Sequence, residues 1–274
     1  MTDGTGLHCL VATDLSARGD RALVRGFRMA AASHGSIVVL HVVEDTYPRP
    51  ILKHIRDDVR ILLHQQIQAM PESAGVAWRV EVVPGHDFEE IIAHAFGCNL
   101  IVLGGGRETR LSDQFLTSTT QRVVRRADVP VLTVKTPYRG PYGLAVAAID
   151  DTDPAERAVT FALSAYPDMR VVAFHAVDVP REMVDPAGSG PEDGLDAFAR
   201  PLRERLARVP HFADRGRFAC ERGAPVPTLD GLVTTHTPDL VVLGRPRRGW
   251  SFLLAQDLPG HALMSARADI LVAP

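Results

Sequence analysis

Cysteine is scarce: Cys9, Cys98 and Cys220 are the only three in 274 residues. An odd, widely spaced set of three does not make a disulfide framework, so the thiols read as reduced. Charge of one sign is also missing. The formal net charge of -3 gives no attraction to nucleic acid or an anionic membrane, and neither is expected as a partner. No apolar run approaches the roughly 20 residues of a membrane-spanning helix. The opening residues "MTDGTGLHCLVATD" lack the basic segment and apolar core of a secretion signal. The expectation is a cytoplasmic protein.

Catalytic signatures are absent as well. There is no Gly-x-Ser-x-Gly elbow, no phosphate-loop lysine motif and no dinucleotide fingerprint. No nucleophile, base and orienting group assemble, so the chain is not expected to be an enzyme. His94 and Cys98 are spaced i, i+4 as a metal pair would be, but no third and fourth ligand join them. No metal is expected. His41 and His175 fall at strand ends, where histidines satisfied by the fold are commoner than catalytic ones.

What is present is a repeat. "HCLVATDLSARGDRAL" parallels "GLAVAAIDDTDPAERAV", so that Asp14 answers Asp150. "SIVVLHVVED" parallels "RVVAFHAVDV", and His41 answers His175. "NLIVLGGGR" parallels "DLVVLGRPR", and Gly104 answers Gly244; "RRADVPVLTV" parallels "ARADILVAP". Four blocks in one order, at nearly one separation, indicate two duplicated domains. "KTPYRGPYG", residues 135–143, interrupts the apolar runs with prolines and glycines and marks the join. The domains are read as 1–138 and 141–274.

Each copy alternates short apolar runs with amphipathic segments. "CLVAT", "SIVVLHVV", "VEVV", "LIVLG" and "VPVLTV" are short, largely β-branched and without polar alternation, as strands buried on both faces of a parallel sheet are. In "SARGDRALVRGFRMAAASHG", Leu23, Phe27 and Ala30 form a helical stripe behind Ser16 as N-cap. In "DFEEIIAHAFG", Phe88, Ile91, Ile92, Ala95 and Phe96 share a face, with Gly97 at the expected C-cap. The fold class is α/β: two tandem five-stranded, parallel-sheet, Rossmann-like domains with right-handed crossovers. Ligands of such sheets bind beyond the carboxyl ends of the strands. Asp14, Asp150, Gly104 and Gly244 all fall there.

Each copy resembles a universal stress protein domain, and the chain a tandem of two. The resemblance rests on the Asp of "VATDLS" and "AAIDDT", on "LHVV" and "FHAV", and on the glycine turns "PGHD" and "RGAP". Its most specific element is "LIVLGGGRETRLSDQFLTSTTQRVVRRADVPVLTV". It implies an adenine nucleotide alpha hydrolase-like fold, with the two halves related by a pseudo-twofold axis and paired through "PVLTV" and "DILVA". A homodimer of whole chains is the other arrangement it implies.

Family members that bind ATP carry Gly, two residues, Gly, nine residues, Gly, then Ser or Thr. Here the four positions are Gly104, Arg107, Thr117 and Ser118, so only the first glycine and the closing hydroxyl are kept. In the second copy they are Gly244, Arg247, Asp257 and Leu258; a shorter loop would bring Ala255 and Gln256 into the closing role. The resemblance implies a nucleotide-binding set of Asp14, Val42, Gly104, Gly105, Gly106, Arg107, Ser118 and Thr119. In the second copy the set is Asp150, Gly244 and Arg247.

Asp14 would accept a hydrogen bond from adenine or ribose. N–H groups of residues 104–106 and the helix start at Ser118 and Thr119 would receive phosphates, with Arg107 and Arg110 as clamps. The competing reading makes Gly104 a turn glycine and the arginines a solvated loop. Arg107 either clamps phosphate or fills its place, and the balance favours closure. Arg245, Arg247 and Arg248 form a cluster that is read as exposed surface. The Pro- and Gly-rich residues 177–194, and their shorter counterpart 44–50, read as variable surface loops.

Two functions remain. The first is a non-catalytic stress-response or regulatory module with degenerate nucleotide motifs. The alternative is an ATP or adenine-nucleotide sensor using the first copy, with slow ATP hydrolysis as a variant.

Overall fold

A computed structural model describes residues 6–105, 118–178, 193–245 and 257–274. Gly106, Arg107, Arg110, Thr117, Arg247, Arg248, Ala255 and Gln256, all named above, lie outside the described residues. The chain divides into two compact units, Met1–Arg139 and Gly140–Pro274.

The first unit begins with β1 (His8–Ala12), α1 (Ala17–Ala32) and β2 (Ser36–Val43). It continues through α2 (Arg49–Ala69), β3 (Ala77–Pro84), α3 (Asp87–His94) and β4 (Leu100–Gly104), and ends with α4 (Thr119–Arg126) and β5 (Val131–Val134). Its strands lie in the order β3-β2-β1-β4-β5 and every pair within it is parallel. The runs without polar alternation are buried on both faces: Leu10, Val11, Val39, Leu40 and Ile101 are all at 0% exposure. Burial on two sides explains why these strands read as continuous apolar runs.

The second unit repeats the plan with β6 (Leu144–Ala148), α5 (Asp153–Ala165), β7 (Arg170–Val177), α6 (Asp193–Leu206) and the single turn α7 (Phe212–Arg215). Then come β8 (Gly216–Arg222), α8 (Pro225–His236), β9 (Leu240–Gly244), α9 (Leu258–Ser265) and β10 (Asp269–Ala273). Its order is β8-β7-β6-β9-β10, again parallel throughout.

In α1 the Ser16 side chain accepts from the N–H groups of Arg18 and Gly19. Leu23, Phe27 and Ala30 are completely buried, as the stripe predicts. α3 is shorter than its spacing predicts. The helix stops at His94 with Ala95 as C-cap, and Gly97 takes its left-handed φ of +80° two residues later. Phe96 therefore lies past the helical face it was assigned to and is 94% exposed; within α3 only Ile91 is buried. Both surface loops are shorter than expected, because α2 starts at Arg49 and α6 at Asp193. Residues 179–192 lie outside the described part.

Candidate nucleotide site at the strand ends

From β1 the chain winds outward to β2 and β3, then returns to the other side of β1 as β4. Winding reverses between β1 and β4, whose carboxyl ends adjoin through Ala12 and Leu103. A crevice at this reversal is where open α/β sheets take ligands. Asp14 follows one of these strands and Gly104 ends the other, so the topology brings those two residues together.

Asp14 is exposed and holds its own loop. Its Oδ1 accepts from the Ser16 hydroxyl and, at 3.1 Å, from the Ser16 N–H. Between them Leu15 sits at φ +60°, a left-handed conformation uncommon for a leucine. Partial burial works against ionisation of Asp14. The Ser16 hydrogen bonds and the Arg18 charge outweigh it and hold the carboxyl below the usual range. Asp150 repeats this turn, accepting from the Thr152 hydroxyl and, at 3.0 Å, from its N–H.

His41 donates from Nδ1 to the Thr13 carbonyl at 2.8 Å, and His175 to the Ile149 carbonyl at 2.7 Å. These rings tie the second strand of each unit to the loop carrying the aspartate. Val42 is half-buried in β2 beside Val83 of β3.

The glycine positions have a packing cause. A Cβ on Gly104 would lie 2.7 Å from both the carbonyl carbon and oxygen of Arg18 in α1. One on Gly244 would lie 2.7 Å from the Pro154 carbonyl carbon and the Ala155 Cα in α5. Only glycine lets the helix start come so close to the strand end. Gly105 is buried, and its N–H donates to the Val134 carbonyl at 2.7 Å. That N–H thus has a backbone partner on β5. In the second unit the corresponding N–H, of Arg245, is bonded likewise to the Ala273 carbonyl.

Ser118 is the N-cap of α4, which Thr119 opens. Its Oγ accepts from the Gln121 N–H at 3.3 Å and its N–H donates to Gln121 Oε1 at 3.1 Å. This reciprocal capping box satisfies two of the helix's orphan donors. In α9 the N-cap is Asp257, whose Oδ1 accepts from the Gly260 N–H at 3.0 Å. The motif count put Asp257 one place before the closing position; the structure puts it on that position. The second unit thus places a carboxylate where the first has a hydroxyl.

One carboxylate escaped the sequence reading. Asp87 opens α3 beyond the end of β3, and its charge is felt together with those of His41, Glu44, Asp14 and His86. The side chain reaches solvent, yet desolvation pushes its pKa above the usual carboxylate range, and Glu44 and Asp14 add to that shift. The available signal was an acid directly following a strand and a glycine, as in "PGHD". In the second unit Pro225 opens the corresponding helix α8. At the start of α5 in the second unit, Arg205 of α6 binds Asp153, Glu156 and, at 2.8 Å, the Asp151 carbonyl.

Compared with known proteins, residues 7–135 match the model of the Universal stress protein family. The first unit is a universal stress protein domain. Across the whole chain, the fold is that of two solved structures. One is a universal stress protein from Archaeoglobus fulgidus, 18% identical, with 97% of each chain covered and a TM-score of 0.75. The other is a putative universal stress protein from Pseudomonas aeruginosa, 18% identical, with 98% of this chain and 94% of that one covered and a TM-score of 0.67. No curated protein matches. The universal stress protein unit carries Asp14, Val42, Gly104, Gly105, Ser118 and Thr119, and thus every described residue of the first candidate set.

Among the described residues no helix is long and apolar enough to cross a membrane. Nor do three His, Cys, Asp or Glu side chains there form a group able to hold a metal ion. His94 Nδ1 donates to the Glu90 carbonyl at 2.8 Å, and its Nε2 lies 3.4 Å from Glu81 Oε2.

Proposed function

We propose that the chain is a tandem universal stress protein acting in the cytoplasm as a non-catalytic regulatory module, with its second unit a further domain of the same family. The observation carrying this reading is that Gly104 and Gly244 are accounted for by close packing on α1 and α5. Ser118 and Asp257 are likewise accounted for by helix capping. Motif remnants needed by the fold give no separate reason to infer a ligand. Calorimetry of the full chain with millimolar ATP and Mg²⁺ tests it: no heat of binding is expected, and saturable binding overturns it. A homodimer belongs to the proposal as the resemblance implies it, and a monomer mass in sedimentation removes that part.

A second reading, an adenine-nucleotide sensor in the first unit, is favoured by one contrast. The first unit leaves a neutral Ser118 hydroxyl at its last helix start, where the second has the Asp257 carboxylate. A carboxylate there repels phosphate. On this reading one nucleotide binds per chain, through Asp14. Asp14→Ala weakens it and Asp150→Ala does not; equal effects remove the asymmetry.

A further inference from the structure

Away from the strand ends, β3 is a terminal strand of the first unit. Among the described residues it pairs with β2 alone, so the peptide groups on its other side meet no strand. Two contacts show which groups these are. The N–H of Gly85, just past β3, donates to the Val43 carbonyl of β2 at 3.0 Å. Successive residues of a strand turn their peptide groups to opposite sides, so the odd-numbered residues of β3 face β2 and Trp78, Val80 and Val82 face outward. In agreement, the Val82 carbonyl accepts from Arg56 Nε of α2 at 2.9 Å.

An open strand edge is a template for another chain, and charged side chains are its usual protection. β3 carries two, Arg79 and Glu81, of opposite sign and bonded to each other along the strand at 2.7 Å. An antiparallel β3 from a second copy, with Val80 on the twofold axis, satisfies both. Val80 then faces Val80 and Trp78 faces Val82, as hydrogen-bonded pairs that use the outward peptide groups. Arg79 of each copy faces Glu81 of the other, in the closer, non-hydrogen-bonded kind of pair. Moving the axis by one residue sets Arg79 against Arg79 or Glu81 against Glu81, which is unfavourable. On the α2 side the facing residues are apolar: Trp78 and Val80 are half-buried, Val82 is buried, and the Trp78 ring lies against His64 of α2. In the single chain Arg56 stands in the way, because it holds the Val82 carbonyl that Trp78 of the other copy needs.

We infer that the outer edge of β3 is a self-pairing surface for a second copy of this chain, with Arg56 as its gate. The inference gives the homodimer proposed above a surface and rests on that part of the reading. Charge complementarity fixes the register, and the outward peptide groups supply the bonds.

Sedimentation equilibrium of the full chain tests it. Arg56→Ala is expected to tighten self-association about tenfold, since each copy gains a free carbonyl for one more neutral hydrogen bond. Unchanged or weaker association overturns the gate. In the Arg56→Ala background, Arg79→Glu and Glu81→Arg are each expected to sediment as monomers, because like charges then meet across the axis. Their equimolar mixture is expected to dimerise, the two acids of one chain facing the two bases of the other. The ion pair within a single strand does not produce that result. A mixture that stays monomeric overturns the surface. Charge variants that dimerise like the parent also overturn it, while leaving a homodimer through other residues. A parent and an Arg56→Ala chain that are both monomeric remove the homodimer together with the surface.

Discussion

The place a Cβ on Gly104 would take is 2.7 Å from the Arg18 carbonyl carbon, so α1 and the end of β4 meet backbone to backbone. A backbone cannot swing aside as a long side chain can. Gly104→Ala is therefore expected to destabilise the first unit by about 1–3 kcal/mol through overpacking, and Gly244→Ala the second unit similarly. Chemical denaturation without any ligand measures both. A neutral Gly104→Ala would return this glycine to a purely functional explanation.

Ser118 and Asp257 make the same kind of cap with different charge. Exchange between them, as Ser118→Asp and Asp257→Ser, should cost little stability because both residues cap well. Ser118→Ala and Asp257→Ala should each cost about 1 kcal/mol. Equal stability of the alanine and parent chains would show that these caps do not hold their helices. The exchanges also separate the two functional readings: if nucleotide binds the parent, Ser118→Asp should abolish it while the fold survives.

Asp14 and Asp87 should respond to pH in opposite senses. The folded chain holds Asp14 below its ordinary range through Ser16 and Arg18, despite partial desolvation. Its contribution is therefore complete above the unfolded value of about 3.9 and disappears as pH falls through the folded one. Asp14→Asn should destabilise at pH 7, with the gap closing towards pH 3.

At Asp87 desolvation raises the folded value, helped by Glu44 and Asp14, so the folded state disfavours the charge. Asp87→Asn should accordingly stabilise at pH 7, and that gain should vanish below the unfolded value. Melting curves at the two pH values settle the signs. The same sign for both variants would contradict the geometry.

The thiols should be sluggish. Burial pushes Cys9 up to about 12, with Cys98 adding to it, while desolvation also raises Cys98 and Cys220. Since the thiolate is the reactive form, alkylation of the native chain at pH 8 should be much slower than in denaturant. Cys9 should be the last to react. Rapid native labelling of Cys9 would mean that β1 opens readily.

Much of this was legible in order and composition. "SIVVLHVV" and "LIVLG" read directly as β2 and β4 because strands buried on both faces are largely apolar runs without polar alternation. Ser16 announced its helix through local capping chemistry. Phe96 misled because helical spacing continues past His94 in the letters, while the backbone turns away there. Asp257 was misplaced by one position because a residue count assumes loops of equal length, and the helix start does not obey it.

By itself, then, the sequence determined the two copies, the alternation of strand and helix, and the placing of Asp14 and Gly104 at strand ends. Those features depend on periodicity and on neighbours a few residues apart. Only the tertiary structure decided that Gly104 is demanded by α1, that the Gly105 N–H is spent on Val134, and that His94 stands between Glu81 and Glu90. Most of these contacts join segments far apart in the chain, and close approach and shared protons between such segments have no local pattern to betray them.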